Sequence, residues 1–488
     1  MLNKKTVLSL IGIFIILRLA LMAFVPLTDA SESRYANLAA NMTKTGDFLA
    51  PQLRMDDEMK VFKGKPALFF QMGGVSCEIF GINEFAVRLP AMISAIAILL
   101  FLYFTLRTLV NETTALAGIT MCFFSAFFYV FSGVNLTDIL LAFSISGAIF
   151  AYMLFCREED KPRKKWYSRL FFVMLGIGML AKGPLVLVMT GMPIFLFTLF
   201  GKRWKELRDH AWFSGIALFL LIAAPWYIMM SQRIPGFLEY FFINENIKRF
   251  LFKEYGDEYG AGREFFRGVS FVWFMVVNAP FWLLLLLGIK GKKWGGKENF
   301  TTDIGALPLL SILCMVGFLA GTSRVLIYYL LPSVPLCMAL LAIKLHQWGH
   351  LEKTVWQKTI VITAAGIGSA VIISLSVFGS FPEIFTQKSY KGLYAELTQK
   401  SAELYPHTKF YFSRSTPYSA EFYLDADQVV HHPEETHLNS WINSSDCILI
   451  IKKSDFKRMG MPEENSGREL LFETRHVKVF SPVLKQEI

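Results

Sequence analysis

Cysteine is scarce in this chain and badly spaced for chemistry. Its 488 residues hold six: Cys77, Cys122, Cys156, Cys314, Cys337 and Cys447. No two stand as C-x-x-C, so a metal ribbon and a disulfide framework are excluded. Charge is short as well. Charged residues make up 18% of the chain and hydrophobic residues 54%, with 46 Phe alone. A soluble domain carries about 25% charged residues and lacks long apolar runs, so that class is excluded too. No nucleic-acid recognition module is present. The net charge of +10 is therefore read as basic loops that set membrane topology, not as a nucleic-acid surface. There are no low-complexity tracts. There is also no internal repeat, which argues against a transporter built from paired broken helices.

What the chain does have is long apolar segments. They predict a polytopic α-helical membrane protein with about eleven spans, at 6–27, 88–108, 113–133, 136–156, 168–182, 184–200, 211–231, 266–289, 304–321, 325–344 and 357–378. The first is expected to stay uncleaved, since no small-residue cleavage site follows it. The short loops around Arg157–Lys165, Lys202–Lys205, Lys290–Lys293 and Lys344–Lys358 are all basic. Placed in the cytoplasm, they put the loop from Asp29 to Pro90, Asp138, Lys182, Arg324 and the C-terminal tail on the outer face.

Composition turns polar near residue 381, which predicts two domains. Residues 1–380 form a transmembrane domain, and 381–488 a small extracytoplasmic α/β domain. In the tail, Lys409–Ser413, Cys447–Ile451 and His476–Phe480 read as strands, and Pro417–Tyr423 and Ser454–Met459 as helical turns. His431, His432, Glu434 and Glu435 are either a metal cluster or a solvated loop, and the second fits their setting better. In the first outer loop, 33–46 and 66–80 read as interfacial helices. The aromatic stretch 236–252 reads as a third.

Charges at the mouth of a membrane are costly and ask for a reason. Glu32 lies just past the first span, with Asp29 before it and Arg34 and Tyr35 after it. Asp138 starts the fourth span. Either these carboxylates supply a general base and its orienting partner, or each only caps a helix. Cations come from separate segments: Arg34, Lys65, Lys182, Arg249, Arg263, Arg267 and Arg324. They are either snorkelling anchors or a cluster for a phosphate leaving group. Lys182 and Arg324 stand beside turn residues, where backbone can line a cavity. Tyr328 and Tyr329 are belt aromatics or cleft residues. Together these groups are equipped for chemistry on a phosphate-bearing lipid.

The ordered set of motifs resembles the polyprenyl-phosphate-dependent glycosyltransferases of the GT-C class. The closest likeness is to the lipid A aminoarabinose transferases, with the protein O-mannosyltransferases further off. Ser31, Glu32, Arg34 and Tyr35 match the family's D-E-x-R-Y. Gly46, Asp47 and Pro51 match its G-D-W…P. Lys65 and Pro66 match K-P, and Glu84, Phe85, Arg88 and Pro90 match E-F-x-x-R-x-P. Thr137 and Asp138 match the second acidic position, and Lys182, Gly183 and Pro184 match the T-K-G-P turn. Asn246, Arg249 and Phe250, then Ser323, Arg324, Tyr328 and Pro332, match later motifs. The likeness covers about residues 1–345.

The resemblance implies an inverting transfer from a polyprenyl (undecaprenyl) phosphate sugar to a lipid A-like or other envelope glycolipid. Glu32, Asp138 and Asp29 would be the acids, and Lys65, Arg249, Arg34, Lys182 and Arg324 would hold the donor phosphate. Tyr35, Asn246 and Tyr328 would line the cleft. A monomer in the bacterial inner membrane is expected. The family's first acid is Ser31 here, so the base role passes to Glu32, or to Asp29. The aminoarabinose enzyme has a Glu and a His, linked with a bound metal, where this chain has Gly64 and Asn246. No cofactor and no metal is expected. Protein O-mannosyl transfer is the alternative, and a lipid or solute transporter or a non-catalytic assembly factor lies behind it.

Overall fold

The computed structural model describes residues 3–55, 58–248, 265–279, 303–322, 325–380, 391, 409–412, 417–424, 429–430, 447–453, 456, 468–473 and 477–481. The chain opens with α1 (Lys4–Phe24) and α2 (Ser31–Thr45). A hairpin of β1 (Gln52–Met55) and β2 (Glu58–Val61) follows. Next come α3 (Leu68–Phe80), α4 (Glu84–Leu109), α5 (Glu112–Phe123) and α6 (Ala126–Phe131). The middle of the chain holds α7 (Asp138–Arg157), α8 (Lys161–Ala181), α9 (Leu185–Gly201), α10 (Trp204–Asp209) and α11 (Trp212–Arg233). A π-helix (Glu239–Lys248) precedes α12 (Val269–Val277), α13 (Ala306–Ala320), α14 (Ser333–Gln347) and α15 (Thr354–Ser380). The tail holds β3 (Lys409–Phe412), α16 (Tyr418–Tyr423), β4 (Val429–Val430), β5 (Cys447–Lys452), β6 (Leu470–Glu473) and β7 (Val477–Phe480).

Five of these helices, α1, α4, α7, α11 and α15, are long and apolar enough to cross a membrane. The helices α9, α13 and α14 are apolar but shorter, at 17, 15 and 15 residues. The expected span 113–133 is two helices, broken at Phe124 and Ser125. The expected span 266–289 is seen as α12 with a few flanking residues, and 280–289 lie outside the described residues. Local signals set the ends. The Asn111 side chain caps α5 by accepting from Thr114 N at 2.8 Å. Asp160 caps α8 in the same way. Gly46, at φ +70°, closes α2 in the left-handed region.

Contacts divide the chain differently from composition. One compact unit is Met1–Met22, Lys63–Met72 and Arg88–Ser374. The other is Ala23–Phe62, Gly73–Val87 and Leu375–Ile488. Ala23–Phe62 and Gly73–Val87, but not Lys63–Met72 between them, therefore group with the polar tail. The reason is a shared apolar patch: Leu27, Ala36, Ala39, Cys77, Ala86 and Val87 pack with Phe422 and Tyr423.

In the first unit α7 is the central helix, buried along nearly its whole length. Such a helix needs close neighbours, and small residues provide the room. A Cβ on Gly147 would meet Met174 Sδ at 2.8 Å, and one on Gly178 would meet Val186 at 2.5 Å. Arg18, near the middle of α1, is 2% exposed. Its guanidinium donates to Tyr129 O (3.2 Å) and Val130 O (2.7 Å), satisfying carbonyls near the end of α6. The Tyr129 hydroxyl donates back to Phe14 O at 2.9 Å.

The second unit contains a mixed sheet in the order β4-β3-β5-β7-β6, parallel across β4, β3 and β5 and antiparallel across β5, β7 and β6. Alternate residues of β3 and β5 fill two apolar clusters, Phe410, Phe412, Ile448 and Ile450 in one and Tyr411, Leu449 and Ile451 in the other. The expected strands at 409, 447 and 476 are β3, β5 and β7. The hairpin, β4 and β6 were not foreseen. The turn expected at Ser454–Met459 and the cluster from His431 to Glu435 lie largely or wholly outside the described residues.

Candidate active site

The π-helix Glu239–Lys248 gathers the cations of the first unit. Lys65 Nζ pairs with Glu245 Oε1 at 2.8 Å and also donates to Gly64 O at 2.6 Å. The Glu245 side chain is only 3% exposed. One turn away on the same helix, the Tyr240 ring lies 4.5 Å from Lys63 Nζ. A π-helix widens the backbone spiral and is found disproportionately at functional sites. Here it lets Tyr240 and Glu245 receive two lysines of one short segment, Lys63 and Lys65.

The second cation reaches the same helix through its backbone. Lys182 closes α8 and is followed by Gly183, whose φ of +102° only glycine adopts without strain. A Cβ there would meet Phe241 at 2.8 Å, so this ring of the π-helix presses directly on the turn. Lys182 Nζ pairs with Asp138, the first residue of α7. The same ammonium lies 4.0 Å from the centre of the Tyr329 ring. Tyr328 is one step removed, 5.3 Å from Tyr329 and 6.1 Å from Phe131. A partly buried ammonium with one carboxylate and one aromatic face keeps donors for a phosphate oxygen as well.

Asn246 donates its side-chain amide to Phe241 O at 2.7 Å. Gly64 has no side chain, and the ammonium of Lys65 stands against Glu245. Neither position supplies the Glu carboxylate or the His imidazole that the resemblance links with a bound metal.

The acids of the first loop lie in the second unit. Glu32 is 4% exposed at the start of α2. Its Oε2 accepts from Thr28 N (2.9 Å) and Thr28 Oγ1 (2.8 Å), which fixes the carboxylate against its own loop. Asp29 accepts from Ser419 N at 2.9 Å and from the Ser419 hydroxyl. The Arg34 guanidinium sits among three rings, 5.4 Å from Tyr35, 5.8 Å from Phe62 and 5.8 Å from Tyr418. Tyr35, expected in the cleft, is buried.

The structure thus joins Asp138 with Lys182, and sets Lys65 one residue from Asn246 through Glu245. Arg249, Arg263 and Arg324 lie outside the described residues. Sequence reasoning missed Glu245 and gave Tyr329 no weight over Tyr328. The signal for Glu245 was a carboxylate beside Asn246 in an otherwise aromatic helix.

Comparison with known proteins follows the same outline. The family model for dolichyl-phosphate-mannose-protein mannosyltransferases matches residues 5–241. The undecaprenyl phosphate-alpha-4-amino-4-deoxy-L-arabinose arabinosyl transferase of Pectobacterium carotovorum is 26% identical over 351 residues, covering 71% of this chain and 60% of its own. That of Yersinia pestis is 27% identical, covering 65% and 54%. The chain therefore spans 60% or less of the length of these relatives. In fold it is similar to ArnT from Cupriavidus metallidurans, solved with undecaprenyl phosphate, with a TM-score of 0.78 at 14% identity over 98% of both chains. An Archaeoglobus fulgidus oligosaccharyltransferase is more distant, with a TM-score of 0.50 at 14% identity over 92% of this chain and 70% of that one.

Proposed function

We propose that this chain, which resembles the GT-C glycosyltransferases in sequence and in fold, is an inverting glycosyltransferase. It moves a sugar from an undecaprenyl phosphate donor to a lipid A-like or other envelope glycolipid. The observation that carries this reading is the pair of partly buried ammonium–carboxylate contacts, Lys65 with Glu245 and Lys182 with Asp138, both tied to the π-helix. The names of the relatives and the undecaprenyl phosphate held by the similar ArnT structure support the donor class.

In the reaction the acceptor hydroxyl attacks the anomeric carbon, and the bond from that carbon to the phosphate oxygen breaks. The electron pair leaves with the polyprenyl phosphate, whose added negative charge Lys65 and Lys182 neutralise. The sugar–phosphate bond supplies its own leaving group. The acceptor's proton goes to Glu32, assigned by its match to the family's acidic motif and held in place by Thr28. Asp138 keeps Lys182 aimed. The direct test is mass spectrometry of envelope glycolipids from cells with and without the protein, alongside donor consumption by purified protein. A glycolipid mass shift of one sugar residue is expected. Unchanged glycolipids with no donor consumed would overturn the reading. A sugar found on protein would point to the mannosyltransferase-like alternative, which the family model over 5–241 favours.

The reading places the acids and the tail outside the cytoplasmic membrane of a bacterium. An impermeant thiol reagent applied to intact cells should label a cysteine placed in the tail and spare Lys165→Cys. The opposite pattern would invert the topology.

A further inference from the structure

Within the second unit the tail reaches back to the acid-bearing segment, through contacts that sugar transfer does not require. Leu27 N donates to the Tyr423 hydroxyl at 2.8 Å, and that hydroxyl donates to Glu84 Oε1 at 3.1 Å. Ser419 binds the Asp29 carboxylate through both its N–H and its hydroxyl. Asn37, on α2, donates to Tyr418 O at 2.8 Å and to Glu421 Oε2 at 3.0 Å. Phe422 and Tyr423 pack beneath, against Ala36, Ala39 and Val87. Helix α16 is six residues long, too short to hold its shape alone in water. Yet four of its residues grip the stretch from Leu27 to Asn37, on both sides of Glu32.

We propose that Ser419 and Glu421 are positioning residues: by holding Asp29 and Asn37 they fix where α2 presents Glu32, so the C-terminal domain sets turnover rather than donor binding. This rests on Glu32 taking the acceptor's proton. Glu421 is 6% exposed, and burial pushes its carboxyl up to about 8. Asp29 pushes in the same direction, while Arg54, Lys44 and the Asn37 bond oppose. Folded protein therefore keeps a proton on Glu421 that the unfolded chain gives up at ordinary carboxyl pH. That proton contributes to folding stability: the contribution is fully present below the ordinary carboxyl range and is lost as pH rises through about 8.

The test compares Ser419→Ala, Glu421→Ala and Glu421→Gln in full-length protein. Ser419→Ala and Glu421→Ala should lower kcat about tenfold with donor KM unmoved, a split that loss of fold would not give. Glu421→Gln, a stand-in for the protonated acid, should recover most of that loss. It should also flatten the pH dependence of stability between pH 7 and 9, since the titrating carboxyl is gone. Backbone hydrogen exchange over residues 27–45 should rise in both alanine variants, and it reads the grip even if the transfer reaction fails. Unchanged exchange overturns the proposal. Raised exchange with unchanged kcat overturns the link to turnover. If Glu32→Gln stays active, it is the base assignment that falls.

Discussion

Glu32→Gln should lower turnover by about 10²–10⁴-fold, the range a positioned general base contributes. The substitution is close to isosteric. A glutamine carbonyl oxygen can still accept from Thr28 N and Thr28 Oγ1, the two donors now within 2.9 Å of Oε2. The loop and α2 should therefore keep their places, and the loss should fall on kcat with donor KM little changed. Asp29→Asn is the control. Asp29 accepts from Ser419, and an asparagine keeps one acceptor for that partner, so its effect should be well under tenfold. Steady-state kinetics on purified variants decides the matter. The reverse order of severity would make Asp29 the base and move the family alignment around Ser31.

Lys65→Ala should weaken donor use by about 30-fold or more, since truncating one partner of a buried hydrogen-bonded charge pair costs about 2–5 kcal/mol. Part of that figure is not about the donor. The variant leaves Glu245, 3% exposed, as an uncompensated buried carboxylate, which by itself destabilises the fold. The double variant Lys65→Ala with Glu245→Gln removes that second effect and should keep most of the donor defect. Glu245→Gln alone should act in the other direction. The Glu245 carboxylate competes with a donor phosphate for the Lys65 ammonium, so removing that charge should leave donor KM equal or lower. Donor KM that rises in Glu245→Gln as much as in Lys65→Ala would show a purely structural pair and take Lys65 out of the phosphate site.

The membrane part of the fold was legible because a bilayer demands apolar surface along the whole length of a span, and α1, α4, α7, α11 and α15 meet that demand. The break between α5 and α6 was not legible, because the chain stays apolar on both sides of Phe124 and Ser125 and hydropathy does not register where the helix stops. Among the site residues, Glu32, Lys65, Asp138 and Lys182 stood out as charges in apolar or turn surroundings. Glu245 did not, since one carboxylate in an amphipathic aromatic helix reads as its solvated face. Ser419 and Glu421 were beyond reach for a different reason. Their partners lie more than 380 positions earlier in the chain, and periodicity carries no information at that range.

Arg18 has a consequence for how the protein is made. A charged residue within α1, here about one turn past its centre, costs up to about 2.5–3.5 kcal/mol when a helix first partitions from the translocon into lipid. The carbonyls of Tyr129 and Val130 that relieve it are synthesised more than a hundred residues later. Until α6 emerges, those two hydrogen bonds cannot form, and apolar flanks help hold the first helix in the bilayer. Biogenesis therefore has a built-in order: α1 anchors early but settles only when α5 and α6 arrive beside it.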